Sequence, residues 1–360
     1  MIKKIILLLS CLFSGIFNSR AQNIESIVDS FVRADQFSGV VLFADKGRVV
    51  FEKAYGYRDF AEKTVLKKSD IFELASVSKQ FTAMVIMLLQ EKGKLSFDDS
   101  VSQYLNIPYK GITIRHLLNH TSGLPDYQAI MDQYWDKSKV AGNADILTYL
   151  NKYQPPILFE PGSKYNYSNT GYVLLASIAE KASGIDFIEF CRKEIFKKIG
   201  MKDTDIRSLE EKKIIKNFAI GHIYVPTKST FIRADSFPSS NYTIWLGNRK
   251  GPGRISSTTA DLLKWDQALY TQQLIKQSTL DEAFTPAELN NGTVSNYGFG
   301  WDIKTDGIGN KYVSHNGDNP GYKTQIVRFI NSKKTLIVLC NNAIANFSAM
   351  IKQLENVIID

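Results

Sequence analysis

Apolar side chains recur every three or four residues close to both ends of the chain, which is the spacing of one face of an α-helix. The first set, within residues 24–34, comprises Ile24, Ile27, Val28, Phe31 and Val32. The second set comprises Ile344, Phe347, Met350, Ile351, Leu354 and Ile358. We therefore predict an amphipathic helix near each end, with its apolar face packed against a core.

Apolar runs beside these helices predict β-strands. Residues 39–44 and 48–52 form two such runs on either side of Asp45-Lys46-Gly47, which is the pattern of a β-hairpin with a glycine turn. Near the other end, Tyr322–Ile330 and Lys334–Cys340 predict two more strands, joined at Asn331-Ser332. Sheet-forming segments thus stand at both ends of the chain.

The middle of the chain, roughly 76–235, is richer in helical patterns and loops. We predict an α+β fold in which an antiparallel sheet from both chain ends is flanked by the N- and C-terminal helices. Residues 22–360 would form a single domain with a sheet lobe, 22–75 and 236–360, and a mostly helical lobe, 76–235. A cleft between two lobes is a favoured place for a small-molecule site.

The first 21 residues have the pattern of a signal peptide. Lys3 and Lys4 precede an apolar run from Ile5 to about Phe17, and Ala21 ends a small-residue cleavage motif. We therefore expect export to the periplasm or secretion from the cell. A membrane anchor and lipidation at Cys11 are the alternatives; the run is short and interrupted for a span of ~20 residues.

Composition and charge are those of an ordinary globular protein, with 44% hydrophobic and 22% charged residues. The formal net charge of +8 becomes +5 without residues 1–21, because that segment holds three basic residues and no acidic one. The remaining charge is spread without clusters. It favours an anionic cell-surface partner weakly and gives no reason to expect nucleic-acid binding.

Two cysteines lie beyond the predicted signal peptide, Cys191 and Cys340. Export would permit a disulfide between them. Each, however, lies in an apolar run, where a free thiol behaves as a small buried hydrophobe. We expect two buried free thiols.

Ser76 and Lys79 open a long apolar helix that the sequence predicts to about Lys92, just before Gly93. Because the two residues are three apart, they share a helix face, with Cβ atoms about 5–6 Å apart. A serine hydroxyl becomes a nucleophile when a base takes its proton, and a lysine amine is such a base once its pKa falls towards neutrality. The alternative interpretation is a helix cap beside a surface lysine.

Tyr167 and Asn169 lie in a loop before another apolar helix, 173–182. In an extended loop their spacing of two directs both side chains the same way. A phenol beside an ammonium can act as a base, and an amide can orient a substrate carbonyl. The alternative is a polar loop that caps the helix.

His315 and Gly317 lie in a segment, 311–322, that joins strand material on both sides. Gly317 allows close approach of a ligand to the backbone. His315 could contact a substrate carboxylate or assist proton transfer. The alternative is a β-turn with an exposed histidine.

Together the three segments resemble the superfamily of serine β-lactamases and D-alanyl-D-alanine peptidases, and within it the class C β-lactamase-like group. That family carries Ser-x-x-Lys, Tyr-x-Asn and Lys-Thr-Gly or a variant in this order. Here the motifs read Ser76-Val77-Ser78-Lys79, Tyr167-Ser168-Asn169 and His315-Asn316-Gly317, and the resemblance covers roughly 30–350. It implies a serine β-lactamase-like fold and hydrolysis through a covalent acyl-enzyme.

The resemblance implies a role for each matching residue. Ser76 would be the nucleophile, Lys79 its proton partner and Tyr167 the second base or acid; which of the last two takes the first proton stays open. Asn169 would hold the substrate carbonyl. The backbone N–H groups of Ser76 and Asp318 would form the oxyanion hole.

His315 departs from the family pattern, since the β-lactamases have lysine there. A neutral imidazole is a weaker anchor for the carboxylate of a β-lactam. We therefore expect a small-molecule or peptide substrate, such as a peptide, amide or ester containing a D-amino acid and derived, for example, from peptidoglycan. A β-lactamase, and a penicillin- or peptidoglycan-binding sensor without turnover, are the alternative functions.

His116 and His120 are four apart and could share a helix face, as a zinc pair would. No glutamate stands between them at the metalloprotease position, because residue 117 is leucine, and the sequence shows no third ligand. We expect no metal and no other cofactor. His120 is instead expected to organise the loop 121–123.

Overall fold

The computed structural model describes residues 20–343 and 346–359. The strands, numbered in chain order, are β1 Gly39–Asp45, β2 Arg48–Tyr55, β3 Tyr57–Asp59, β4 Thr64–Val65, β5 Phe72–Glu73, β6 Asp205–Ile206, β7 His222–Val225, β8 Thr230–Arg233, β9 Ile255–Ser257, β10 Ala287–Glu288, β11 Val294–Ser295, β12 Asp302–Thr305, β13 Lys311–Asn319, β14 Tyr322–Phe329 and β15 Lys334–Cys340.

The α-helices are α1, which covers 20–33, α2 Lys79–Glu91, α3 Ile114–Leu118, α4 Tyr127–Tyr134, α5 Asn143–Tyr153, α6 Asn169–Ser183, α7 Phe187–Cys191, α8 Leu209–Ile214, α9 Tyr242–Trp245, α10 Thr259–Ala268, α11 Gln277–Ala283 and α12 Phe347–Ile359. Short 3₁₀ turns cover Ala75–Ser78, Val101–Gln103, Pro226–Lys228, Ala234–Ser236 and Pro238–Ser240, and a π-helical turn covers Arg192–Phe196.

The predicted signal peptide, 1–21, lies outside the described residues except for its last two positions, so export stays a prediction. Within the described part of the chain, no helix has both the length and the apolar character needed to cross a bilayer.

The main sheet has six antiparallel strands in the order β12-β13-β14-β15-β1-β2. The first strand pairs with the last, from Gly39 opposite Cys340 to Asp45 opposite Lys334. Contacts between residues about 300 positions apart in the chain therefore hold the middle of the sheet together. Both predicted hairpins and the sheet built from both chain ends are confirmed.

Side chains of the sheet alternate between two cores, as the period of two along a strand requires. In β1, Val41 and Phe43 face α1 and α12, whereas Val40 and Leu42 face the helices of the middle of the chain. The terminal helices contribute to the first core with Ile24, Val28, Phe31, Met350, Leu354 and Ile358. Both terminal helices are thus confirmed, except that Ile344, the first residue of the second predicted set, lies outside the described residues.

Helix α2 runs through the second core, and eleven of its thirteen residues are buried. A helix that is apolar on all sides is expected at the centre of a protein. The predicted helix is divided in the structure: the 3₁₀ turn Ala75–Ser78 precedes α2, which ends at Glu91 and is capped by Lys92. This turn lies against the sheet, where the Thr324 hydroxyl donates to the Leu74 carbonyl at 2.8 Å.

The division into a sheet lobe and a helical lobe stays a prediction. Helices α2–α8 fall within 76–235, together with the short strands β6–β8. Helices α10 and α11 fall within 236–360, the range assigned to the sheet lobe.

Cys191 and Cys340 are both buried free thiols, as predicted. Cys191 lies in the core around α2, and Cys340 lies in the core beneath the terminal helices.

A buried ion pair joins helix α10 to the sheet. The Arg328 Nε donates to Asp266 Oδ1 at 2.5 Å, and a second guanidinium nitrogen donates to the Asp266 carbonyl at 3.1 Å. Both side chains are almost completely buried. Removal of one partner would leave the other charge buried without compensation.

We expect Asp266→Asn to lower the free energy of unfolding by about 3–5 kcal/mol. The matched control is Glu210→Gln, which removes a carboxylate from the exposed pair with Lys213 and should change stability by about 0.5 kcal/mol or less. Urea unfolding measures both. A loss of under about 1 kcal/mol for Asp266→Asn would show that the pair does not hold α10 to the sheet.

Candidate active site

Ser76 lies in the strained 3₁₀ turn before α2. Ala75 has a φ of 48°, a left-handed conformation that costs a residue with a side chain about 1–3 kcal/mol. The Ser76 side chain is partly exposed, whereas Ser78 is buried and its Oγ accepts a hydrogen bond from the Ile255 N–H at 3.1 Å. Ser78 therefore faces away from the cleft, and Ser76 is the serine presented beside Lys79.

Lys79 is fully buried, and its amine meets three oxygens. Its Nζ lies 3.0 Å from Ser76 Oγ, 2.8 Å from Asn169 Oδ1 and 2.9 Å from the Pro252 carbonyl oxygen. No carboxylate of the described residues forms an ion pair with it. Burial lowers the pKa of Lys79 well below its ordinary value, and the positive charge of Arg249 lowers it further.

The three contacts direct the lone pair of the neutral amine. The oxygens of Asn169 and Pro252 are carbonyl oxygens, which only accept hydrogen bonds. They take the two N–H bonds of a neutral amine, so the lone pair faces the third neighbour, Ser76 Oγ. Lys79 is therefore placed to accept the proton of the serine hydroxyl.

The Pro252 carbonyl owes its position to a close approach of two backbones. Gly251 has a φ of 110°, and a Cβ at this residue would lie 2.1 Å from the Tyr172 carbonyl oxygen. The Thr82 hydroxyl on α2 donates to the Gly251 carbonyl at 2.7 Å and fixes the loop against the helix. Pro252 is a residue of the site that the motifs do not indicate, because a backbone oxygen leaves no signal in a pattern of side chains.

Tyr167 lies over the same amine. The Lys79 Nζ lies 4.7 Å from the centre of the Tyr167 ring, and the Ser76 side chain acts on the Tyr167 hydroxyl to lower the pKa of Tyr167 against the effect of burial. Although 38% of its surface is exposed, desolvation of the hydroxyl raises the pKa of Tyr167 above its ordinary value. The neutral phenol is therefore the stable form in the free protein.

His120 holds the loop that carries Tyr167. Its Nδ1 accepts a hydrogen bond from the Ser168 N–H at 3.0 Å, and its ring centre lies 4.2 Å from that of Tyr167. Its carbonyl accepts from the Asn166 N–H at 2.9 Å. Burial lowers the pKa of His120 well below its ordinary value, so the ring is neutral. The contact of His120 with the Tyr167 loop joins residues about 48 positions apart, so the spacing of residues along the chain does not indicate it.

His315 is buried within β13, and both of its ring nitrogens are engaged. Nδ1 lies 2.6 Å from the Asn316 carbonyl oxygen, so it carries the hydrogen, and Nε2 accepts from the Tyr297 hydroxyl at 2.8 Å. Burial lowers the pKa of His315 to about 3, with a smaller effect of Lys79. The ring is neutral and buried, which is a poor arrangement for binding a substrate carboxylate. Tyr297 is a further residue of the site that no motif indicated.

Gly317 brings β13 against the turn that carries Ser76. A Cβ at Gly317 would lie 2.2 Å from the Leu74 carbonyl oxygen and 3.1 Å from the Ala75 Cβ. Asp318, the next residue, directs its carboxylate to Lys323 at 2.6 Å. Its backbone N–H, one of the two predicted oxyanion donors, thus belongs to the strand that passes the nucleophile.

His116 takes part in a helix cap. Its Nδ1 accepts from the Thr113 N–H at 3.2 Å at the start of α3. In the described ranges, no three histidine, cysteine or acidic side chains group closely enough to bind a metal ion together.

Comparisons with known proteins agree with this geometry. Residues 24–353 match the family model described as Beta-lactamase. The chain is 41% identical over 326 residues to penicillin-binding protein 4* of Bacillus subtilis (strain 168), covering 90% of this chain and 72% of that protein.

Two solved structures have the same fold. The octameric penicillin-binding protein homologue from Pyrococcus abyssi matches with a TM-score of 0.81 and 25% identity, over 93% of this chain and 76% of that one. The D-amino acid amidase from Ochrobactrum anthropi SV3, complexed with L-phenylalanine amide, matches with a TM-score of 0.77 and 25% identity, over 95% of this chain and 99% of that one. The chain belongs to the beta-lactamase family and is a serine hydrolase of that family.

Proposed function

We propose that Ser76 attacks the carbonyl carbon of a peptide, amide or ester and forms an acyl-enzyme that water then hydrolyses. The observation that carries this proposal is the Lys79 amine, which is buried without a carboxylate, lies 3.0 Å from Ser76 Oγ and donates to two carbonyl oxygens. Such an amine is neutral and serves as a general base.

In the acylation step, Lys79 takes the Ser76 proton while Oγ attacks. The backbone N–H groups of Ser76 and Asp318 stabilise the negative oxygen of the tetrahedral intermediate. Tyr167 then gives its proton to the leaving group, and its phenolate forms beside the new Lys79 ammonium, which lies close to its ring. In this proposed order Lys79 is the first base and Tyr167 is the first acid.

In the deacylation step, the Tyr167 phenolate takes a proton from the attacking water. When the acyl group leaves, Lys79 returns its proton to Ser76 Oγ, so both residues regain their starting forms. Asn169 uses its Oδ1 for Lys79, and its amide nitrogen has no hydrogen-bond partner within the described part of the chain. That N–H group is free to hold a substrate carbonyl.

A peptide or amide that contains a D-amino acid is the substrate class that the relatives favour, because one structural neighbour is a D-amino acid amidase. The similarity to a penicillin-binding protein supports a peptidoglycan-derived peptide. The signal-peptide pattern of residues 1–21 supports export to the periplasm or secretion. A neutral, hydrogen-bonded His315 would bind the carboxylate of a β-lactam only weakly, so a β-lactamase is the less favoured function.

A second candidate function is a penicillin- or peptidoglycan-binding sensor that is acylated without turnover. It is favoured by the 41% identity to penicillin-binding protein 4*. Intact-mass analysis separates the two functions. A sensor retains one acyl group per molecule, whereas a hydrolase releases product continuously and returns to its original mass.

Replacement of the nucleophile tests the proposal. With p-nitrophenyl acetate and residues 22–360, we expect Ser76→Ala to lower kcat by on the order of 10³-fold or more. Ser78→Ala is the matched control and should keep kcat within about tenfold, since its hydroxyl faces Ile255. Equal activity of Ser76→Ala and wild type would refute the assignment of the nucleophile.

The pH profile tests the base. Because the neutral amine is the active form, kcat/KM should rise with pH through the pKa of Lys79, well below 10.5, and stay high while Tyr167 keeps its proton. Arg249→Gln removes the cation that lowers the pKa of Lys79, so the rising limb should move to higher pH. Arg192→Gln, which removes an arginine from a surface pair with Asp205, should leave the rising limb at the same pH. A limb unmoved by Arg249→Gln would contradict this electrostatic account.

His120 is a positioning residue for Tyr167. We expect His120→Leu to lower kcat by about 10²-fold with little change in KM, because the Tyr167 loop loses its acceptor. His120→Asn should recover part of the loss, since an amide oxygen can accept from the Ser168 N–H and asparagine tolerates the φ of 59°. A loss of stability with unchanged kcat in both variants would mean that His120 is structural only.

A further inference from the structure

A cavity with a volume of about 490 Å³ opens beside the proposed site. Seven cationic and four acidic side chains line it, and we call it the basic cavity. The cations are Arg58, Lys212, Lys213, Lys216, Arg233, Arg249 and Arg254, and the acids are Asp59, Glu62, Glu73 and Asp235. None of the proposed catalytic side chains belongs to this lining.

Several of these cations are neutralised by nearby carboxylates. Lys212 contacts Glu73, Arg233 lies 3.0 Å from Asp235, and Lys213 lies 2.7 Å from Glu210. The Lys212 amine donates a hydrogen bond to the carboxylate of Glu73. The negative charge of Glu73 also acts on Arg249 and Arg254 and, against the effect of burial, acts to raise the pKa of both guanidinium groups, although neither arginine forms a direct ion pair with Glu73 in the described part of the chain.

Arg249 and Arg254 are each 8% exposed, and neither forms an ion pair within the described residues. Arg249 donates to the Tyr127 hydroxyl at 2.6 Å, and its buried Nε has no hydrogen-bond partner in that part of the chain. Arg254 donates to the Arg207 carbonyl at 2.7 Å. A buried guanidinium without a direct ion pair is costly, and a bound anion would offset that cost.

The backbone of Arg254 adds a second cost. Its φ of 79° is in the left-handed region, which a residue with a long side chain rarely adopts. This conformation directs the chain from Gly253 into β9 while the side chain lines the basic cavity.

The basic cavity lies next to the nucleophile turn. Glu73 is three residues before Ser76, and the Arg249 charge acts on Lys79. A Cβ at Gly253 would lie 3.6 Å from an Arg249 guanidinium nitrogen and 3.7 Å from the Ala75 carbonyl oxygen. The guanidinium therefore approaches the backbone next to Ser76.

Strand β13 separates the two sides of the site. Tyr167, which we propose protonates the leaving group, packs near His315, with ring centres 6.2 Å apart. Asn319 and Pro320 line the basic cavity. Asn319 lies four residues after His315, which is about 13 Å further along β13. A leaving group protonated by Tyr167 would lie at the His315 end of β13, so an acyl chain that extends in the other direction along β13 would reach the basic cavity.

From these contacts we propose that the basic cavity binds a carboxylate on the acyl part of the substrate, with Arg254 and Arg249 as its partners. This inference rests on the proposed serine-hydrolase function and specifies its substrate class. Guanidinium groups are suited to a carboxylate because their donors match its two oxygens. The substrate is accordingly an acyl compound with a free acidic group.

The test compares two activated esters that differ by one charge, mono-p-nitrophenyl adipate and its carboxamide, p-nitrophenyl adipamate. For wild type we expect kcat/KM to be about 10- to 100-fold higher for the adipate, the range expected for a hydrogen-bonded charge. Arg254→Gln should bring this ratio close to one, while Arg254→Lys should keep part of it. The ratio does not depend on the fraction of enzyme that folds.

Arg192→Gln is the matched control, because it removes an arginine that is paired on the surface outside the basic cavity. It should leave the ratio unchanged. A wild-type ratio near one, or a ratio that Arg254→Gln does not reduce, overturns the inference while hydrolysis of p-nitrophenyl acetate leaves the proposed function standing.

Thermal unfolding with adipate, adipamide or phosphate at constant ionic strength provides a readout that does not need turnover. Adipate should raise the Tm of wild type but not that of Arg254→Gln, and adipamide should raise neither. Stabilisation by phosphate alone would overturn the choice of a carboxylate. Loss of all ester hydrolysis together with stabilisation by adipate would refute the proposed function and support the anion site.

Discussion

The site depends on one amine that is buried without a counter-ion. Lys79 lies at the start of the central helix and is enclosed by the Ser76 hydroxyl, the Asn169 amide oxygen and the Pro252 carbonyl. These neutral partners can satisfy an amine but do not compensate an ammonium ion as a carboxylate would. The proposed role of Lys79 as a general base follows from these three neutral partners.

Three distant parts of the chain must meet to build this environment. The α2 helix supplies Lys79, the start of α6 supplies Asn169, and the loop before β9 supplies the Pro252 carbonyl. Strand β13 completes the site because Gly317 lets its backbone pass the turn at Leu74. Strands β12 and β14 hold β13 in place, and the same six-stranded sheet contains the pairing of β1 with β15.

The sequence predicted the parts of the molecule that are encoded locally. Period-two and helical patterns located the strands and the terminal helices, and the spacing of three between Ser76 and Lys79 placed an amine beside a hydroxyl. The resemblance of the motifs indicated the family, which the comparisons confirm. What no local pattern could show is the partner of each group across the fold. The Pro252 oxygen, the His120 contact with Ser168, the Tyr297 hydroxyl on His315 and the unpaired Arg249 and Arg254 all arise from tertiary packing.

The central claim is that Lys79 is uncharged in the free protein, and an NMR titration of the lysine side chains measures this directly. Protein labelled with ¹³C at the lysine Cε atoms would be titrated, with the Lys79 resonance identified by its loss in Lys79→Arg. The account predicts that this one resonance titrates well below the ordinary lysine pKa of 10.5. A Lys79 resonance that titrates at or above that value would show that Lys79 is an ammonium ion at neutral pH. The assignment of Lys79 as the base would then be wrong.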